Sequence, residues 1–76
     1  MSRSLSDIAA EIRREWPQPY FGAVPYLNAM RSLDGIHDRY GMDDGRTMVL
    51  YFLSNASTWR GDAARRIKAE LKGMVK

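Results

Sequence analysis

Met48-Val49-Leu50-Tyr51-Phe52-Leu53 is the one run of six consecutive apolar residues in the chain, and its reading as strand or helix decides the fold. Periodicity alone does not separate a buried strand from a buried helix. Val49, Tyr51 and Phe52 lean toward a strand. A lone strand, however, leaves its backbone N–H and C=O groups without partners, which is costly in a core. No second run alternates apolar and polar residues, so the helical reading prevails. At roughly 100° per residue, Met48, Phe52, Ala56, Val49, Leu53 and Leu50 cover most of the circumference. A strip near Thr47, Ser54 and Tyr51 is left to meet water. A helix apolar nearly all round is central, wrapped by others. Asp43 or Asp44 stands where its N-cap belongs.

Working outward, Ser4 can cap a first helix, with Asp7 near the positive end of its dipole. Leu5, Ile8, Ala9, Ile12 and Trp16 fall on one face, and Pro17 ends the helix. Residues 17–25 read as an ordered connector, because Tyr20, Phe21 and Val24 are foreign to a disordered segment. Tyr20 and Phe21 are expected to plug one end of the core; the alternative is an exposed aromatic patch for a partner. Pro25 opens a second helix whose apolar face is Tyr26, Met30, Leu33, Ile36, His37 and Tyr40, with Gly41 just past its end. Ser57 or Thr58 caps a fourth helix lined inside by Trp59, Ala63, Ile67, Leu71 and Met74, and Gly73 predicts fraying near its end. The expected fold is all-α: a compact single domain, residues 1–76, of four helices at about 5–16, 24–40, 45–55 and 58–74, the third central.

Seventy-six residues lie near the lower limit for a self-sufficient core. The chain has no cysteine, hence no disulfide and no thiolate metal site, which suits a reducing cytoplasm. Residues 1–16 carry charge throughout and hold no signal-peptide core, and no run is long enough to span a membrane. The expectation is a soluble cytoplasmic protein. The net charge is +3. Its basic excess falls in residues 57–76, where six Lys or Arg face two acidic residues, and that asymmetry hints at an acidic partner.

Catalytic chemistry finds few candidates. His37 is the one histidine, expected to be partly buried and hydrogen-bonded. Without cysteine or a second histidine, neither a zinc site nor a Ser–His pair is easily built. Asp34 and Asp38 read as solvated carboxylates. An EF-hand frame with Gly45 as its glycine puts Tyr40, Met42 and Tyr51 where oxygen ligands belong, which rejects it. No enzyme activity and no cofactor are expected.

Arg65, Lys68, Lys72 and Lys76 form a basic stripe on the fourth helix, opposite Trp59, Ile67 and Leu71. They can track phosphates, although few Asn or Gln side chains stand beside them to read base edges. A solvated face is the plainer reading. Arg60 sits oddly at a helix start, where a cation opposes the dipole, and can mark a contact with a partner.

Pro19-Tyr20-Phe21-Gly22-Ala23-Val24-Pro25-Tyr26-Leu27, Tyr51-Phe52-Leu53-Ser54-Asn55-Ala56, Thr58-Trp59-Arg60-Gly61, Ala64-Arg65 and Ile67-Lys68-Ala69-Glu70-Leu71 together resemble a family of small uncharacterised proteins of actinobacterial phages, mycobacteriophages especially. The resemblance covers most of the chain. It implies a phage protein working in the host cytoplasm and brings no catalytic motif with it. The expected function is therefore a non-enzymatic accessory protein that binds a host or phage protein, with Tyr20, Phe21, Tyr26 and Arg60 as the contact residues. Nucleic-acid binding through Arg65, Lys68, Lys72 and Lys76 is the alternative. A symmetric homodimer is a second way to bury the connector aromatics.

The central-helix reading fixes the cost of Phe52→Ala at about 3–5 kcal/mol, enough to leave so small a domain largely unfolded. A thermal melt checks this; a cooperative transition unchanged within a few degrees contradicts it.

Overall fold

Each helix N-terminus exposes backbone N–H groups that need acceptors, and here two of them are closed by one loop. The computed structural model describes residues 3–76. Helix α1 runs Leu5–Glu15 and helix α3 runs Gly45–Ser54. The Leu5 and Ser6 N–H groups donate to the carbonyls of Asp34 and Leu33 at 2.8 and 2.9 Å. Those of Gly45 and Arg46 donate to Asp38 and Ile36 at 2.7 and 2.9 Å. The next N–H in each helix goes to a cap side chain, Asp7 to Ser4 at 3.1 Å and Thr47 to Asp44 at 2.9 Å. Both caps are the residues the sequence points to.

The second helix departs from expectation. Helix α2 covers only Val24–Met30, after a short 3-10 turn at Phe21–Ala23. It does not reach residue 40, because short polar side chains beyond Met30 compete for the backbone. Ser32 Oγ donates back to the Ala29 carbonyl, and the Asp38 carboxylate accepts from the N–H groups of Asp34 and Gly35 at 2.8 and 3.2 Å. The apolar residues of this stretch still serve the core. Leu33 is buried and Ile36 is packed against the cluster, carried there by the loop and not by helical periodicity. His37 and Tyr40 are exposed, contrary to expectation, because the helical face that would have buried them is absent.

Two strands of two residues, β1 (Arg39–Tyr40) and β2 (Asp43–Asp44), follow as an antiparallel hairpin with Arg39 opposite Asp44 and Tyr40 opposite Asp43. Gly41 takes φ 65° in its turn, as two-residue hairpin loops require. The positive-φ glycine is where the sequence puts it, in a hairpin instead of a helix cap.

Helix α4 runs Asp62–Met74 and starts four residues later than expected. Its N-cap is Gly61 at φ 114°, not Ser57 or Thr58. That conformation interrupts the chain after Trp59 and lets its ring turn inward. The helix ends at Met74, as expected, and the Val75 carbonyl accepts from Arg46 Nε at 3.2 Å.

Helix α2 packs most extensively on α3, and α1 against both α2 and α4. The fold is a single mostly helical domain of four helices with this small hairpin. Its radius of gyration is 11.0 Å, matching the roughly 11 Å of a compact chain of this length. Phe52, Leu5, Ile8, Ile12, Leu27, Met30, Ile67, Leu71 and Val49 are the largest fully buried side chains. Helix α3 supplies Phe52 and Val49 but is not wrapped all round, since Leu50 faces out beside Tyr51. No described helix is long and apolar enough to cross a membrane.

Gly45 has no room for a side chain. A Cβ there would lie 2.5 Å from the Gly35 carbonyl oxygen and 2.9 Å from Ile36 Cα, both backbone atoms. Gly45→Ala is therefore expected to cost about 1–3 kcal/mol through forced displacement of the loop. Gly73→Ala, in open space on a helix, should gain about 0.5–1 kcal/mol. Chemical denaturation of the two variants checks the pair; equal effects contradict the close packing at Gly45.

Candidate functional site

The core already has its aromatic plug, and it is not the expected one. Trp16 stacks on Trp59 with centroids 5.4 Å apart and planes 9° from parallel. Phe52 meets both rings edge-on at 6.4 Å. Trp16 closes the end of α1 and Trp59 enters from the loop before α4, so the space is filled by rings distant in sequence. Tyr20 and Phe21 are displaced outward, 45% and 78% exposed. The expectation that they plug the core is overturned.

The displaced rings pair with each other. Tyr20 and Phe21 lie 4.8 Å apart, centroid to centroid. The Tyr20 ring folds back over Gly22: a Cβ on Gly22 would meet it at 2.6 Å and Asn55 Oδ1 at 2.8 Å. Asn55 in turn donates from Nδ2 to the Tyr51 carbonyl at 2.9 Å. The Tyr51 ring lies 5.3 Å from that of half-buried Tyr26. Two ring pairs thus stand outside the core cluster, Tyr20 with Phe21 on the turn and Tyr26 with Tyr51 between α2 and α3. Of these the sequence names Tyr20, Phe21 and Tyr26 as contact residues and places Tyr51 on the strip that meets water. Leu50, expected in the core, is exposed on the same helix.

The basic stripe is not a uniform row. Lys72 and Lys76 are exposed as expected. Arg65 is exposed but pairs with Asp62 in the first turn. Lys68 is half-buried, contrary to the expectation that it faces out. Its ammonium donates to the Trp59 carbonyl at 2.7 Å and lies 5.9 Å from the Trp59 ring centroid. Lys68 is drawn in because the loop that buries Trp59 leaves that carbonyl in need of a donor. Burial, and then the charges of Lys72 and Arg60, push its pKa below the ordinary lysine value. Arg60 stands before the Gly61 cap, exposed, and so lies outside the helix that the sequence expects to hold it. Ser57, Trp59, Arg60, Gly61, Ala64, Arg65 and Lys68 line a cleft of about 380 Å³.

A second cluster of charge has no sequence signal at all, because its members are up to 67 residues apart. Arg3 bridges Glu11 at 2.6 Å and Glu70 at 2.7 Å, and Arg66 bridges Glu11 at 2.6 Å. It fastens α1 to α4. Arg3 also lines the larger cleft, about 420 Å³, beside His37 and Asp34. Its guanidinium is held by the two carboxylates. Among the described residues no polar side chain is buried, and no group of three His, Asp or Glu stands close enough to hold a metal ion.

Comparison with protein-family models, curated proteins and solved structures yields no match.

The arginines set the acid stability. Hydrogen bonds from Arg66 and then Arg3 hold the Glu11 carboxyl at about 2, against an ordinary 4.5. Glu70 is likewise lowered, chiefly by Arg3. Between those values the unfolded chain binds protons that the folded one refuses. Stability from this network is fully present above about pH 4.5 and is lost as pH falls toward 2. The groups are partly exposed, so the effect is screened by salt. Melting temperature against pH should fall through this window in wild type and fall less in Glu11→Gln; parallel curves contradict the assignment.

Proposed function

We propose that this chain is a small non-enzymatic protein that acts by binding a host or phage protein through the aromatic rings of Tyr20, Phe21, Tyr26 and Tyr51. The observation that carries the reading is Phe21, a phenylalanine 78% exposed in a chain that otherwise buries both tryptophans and its second phenylalanine to various depths. An apolar ring kept in water costs free energy that burial against a partner recovers, about 1.5–3 kcal/mol for a side chain of this size. Tyr20 beside it, and Tyr51 on α3, supply rigid contact area at low entropic cost, and aromatic residues of this kind dominate interface energetics. Arg60, exposed in the loop before α4, adds a cation to the contact residues.

The resemblance to small proteins of actinobacterial phages supports the host cytoplasm as its setting, and the lack of cysteine is consistent with it. The scarcity of reactive side chains argues for binding over catalysis. A second reading, nucleic-acid binding by Arg65, Lys68, Lys72 and Lys76, draws on the exposure of Lys72 and Lys76. It is weakened by the retreat of Lys68 onto Trp59, which breaks the row.

A photo-crosslinking residue at position 21, compared with one at exposed position 69, tests the reading in infected host cells. A discrete protein adduct at 21 alone, resistant to nuclease, is expected. Reconstituted with that protein after purification, Phe21→Ser should weaken binding at least about tenfold, or about 1.4 kcal/mol, at unchanged melting temperature. A nucleic-acid adduct would support the second reading. An adduct with a second copy of this chain, matched by dimer in sedimentation, would replace the foreign partner with a homodimer.

A further inference from the structure

The three helix starts with charge nearby are not alike. At α1 and α3 the leading N–H groups are closed by loop carbonyls and by Ser4 and Asp44. At α4 the N-cap is a glycine with no side chain to offer. Around it stand three cations, Arg60, Arg65 and Lys68, lining a cleft of about 380 Å³. One carboxylate, Asp62, answers them, and it lies out in solvent beside Arg65. Lys68 meets a carbonyl and an aromatic face, both of which leave its charge in place. Burial first, and then the charges of Lys72 and Arg60, lower its pKa.

Like charges gathered in a concave space favour an anion. We propose that the cleft between residues 57–61 and the first two turns of α4 binds a phosphate monoester, with the Arg60 and Arg65 guanidiniums as its ligands and Lys68 as the charge behind them. Guanidinium forks match phosphate oxygens two at a time, and the Ser57 hydroxyl on the cleft wall adds a neutral donor. The charge is local: three cations around one cleft against one carboxylate suit a dianion. A nucleic-acid backbone presents single charges at regular spacing and is best met by an even row. Here the row is broken, since Lys68 turns inward and leaves Lys72 and Lys76 apart from the arginines. The buried Trp59 ring and Ala64 close the back of the cleft, leaving room for the phosphate and a small attached group.

Titration of the full chain with inorganic phosphate and with phosphoserine, followed by amide and indole NMR shifts at constant ionic strength in sodium chloride, tests the assignment. Saturable shifts confined to Ser57, Trp59 and residues 60–64 are expected, with an upward shift of the Lys68 pKa on binding. Phosphoserine should bind at least as tightly as inorganic phosphate; the reverse would mean that free phosphate alone fits, and would overturn the monoester. Arg60→Gln with Arg65→Gln, both exposed positions, should weaken binding at least about tenfold while leaving the circular dichroism spectrum intact. Affinity within about twofold of wild type in that variant would overturn the proposal, as would shifts spread evenly over Lys72 and Lys76. Tighter binding of a short DNA duplex than of either phosphate would overturn it in favour of nucleic acid.

Discussion

Two helix N-termini meet at one loop, and the rest of the structure depends on that meeting. Residues 33–38 turn four carbonyls toward the first N–H groups of α1 and α3, while Ser4 and Asp44 take the third in each. The positive ends of two dipoles would repel if left bare; carbonyl oxygens between them remove the conflict. The loop can approach this closely only because position 45 is glycine. With both helices anchored, Leu5 and Val49 are carried into one core beside Leu33, and α4 closes over it through Ile67 and Leu71.

At the other end of the domain, packing decides what stays outside. Trp16, Phe52 and Trp59 meet in one stacked and edge-on cluster. Three rings of that size occupy the space that Tyr20 and Phe21 would otherwise take. The same cluster pulls Lys68 inward to satisfy the Trp59 carbonyl. One packing event therefore shapes both surfaces: it leaves aromatic rings outside on the turn and α3, and it gathers Lys68 toward Arg60 and Arg65 beside α4. The two lie close along the chain. Asn55 touches Gly22 and Ser57 lines the cleft, and two residues of chain span at most about 7 Å.

What could be read in advance follows from the range of the interactions. Ser4, Asp44, Pro17 and the inner face of α1 act within a turn or two, and their neighbours in sequence are their neighbours in space. The exposure of Tyr51 followed from the helical period alone. The extent of α2 did not, because Ser32 and Asp38 compete with a helix only once the loop they stabilise has a core to lean on. The late start of α4 has the same origin: Ser57 and Thr58 are good caps, but burying Trp59 against Trp16 outweighs a cap worth about 1 kcal/mol. The bridges from Arg3 and Arg66 to Glu11 and Glu70 join opposite ends of the chain and leave no local mark.

The sequence by itself determined a mostly helical fold with Met48–Leu53 as a helix, two of its helix caps, a chain poor in catalytic side chains and a basic C-terminal third. Periodicity, capping and composition are local properties, and local rules suffice for them. Tertiary structure alone decided that Tyr20, Phe21 and Leu50 face water, that Lys68 does not, and that Arg60 joins Arg65 at one cleft. Those outcomes depend on which rings fill a finite volume and which carbonyls still need donors. Both are settled only when distant segments compete for the same space.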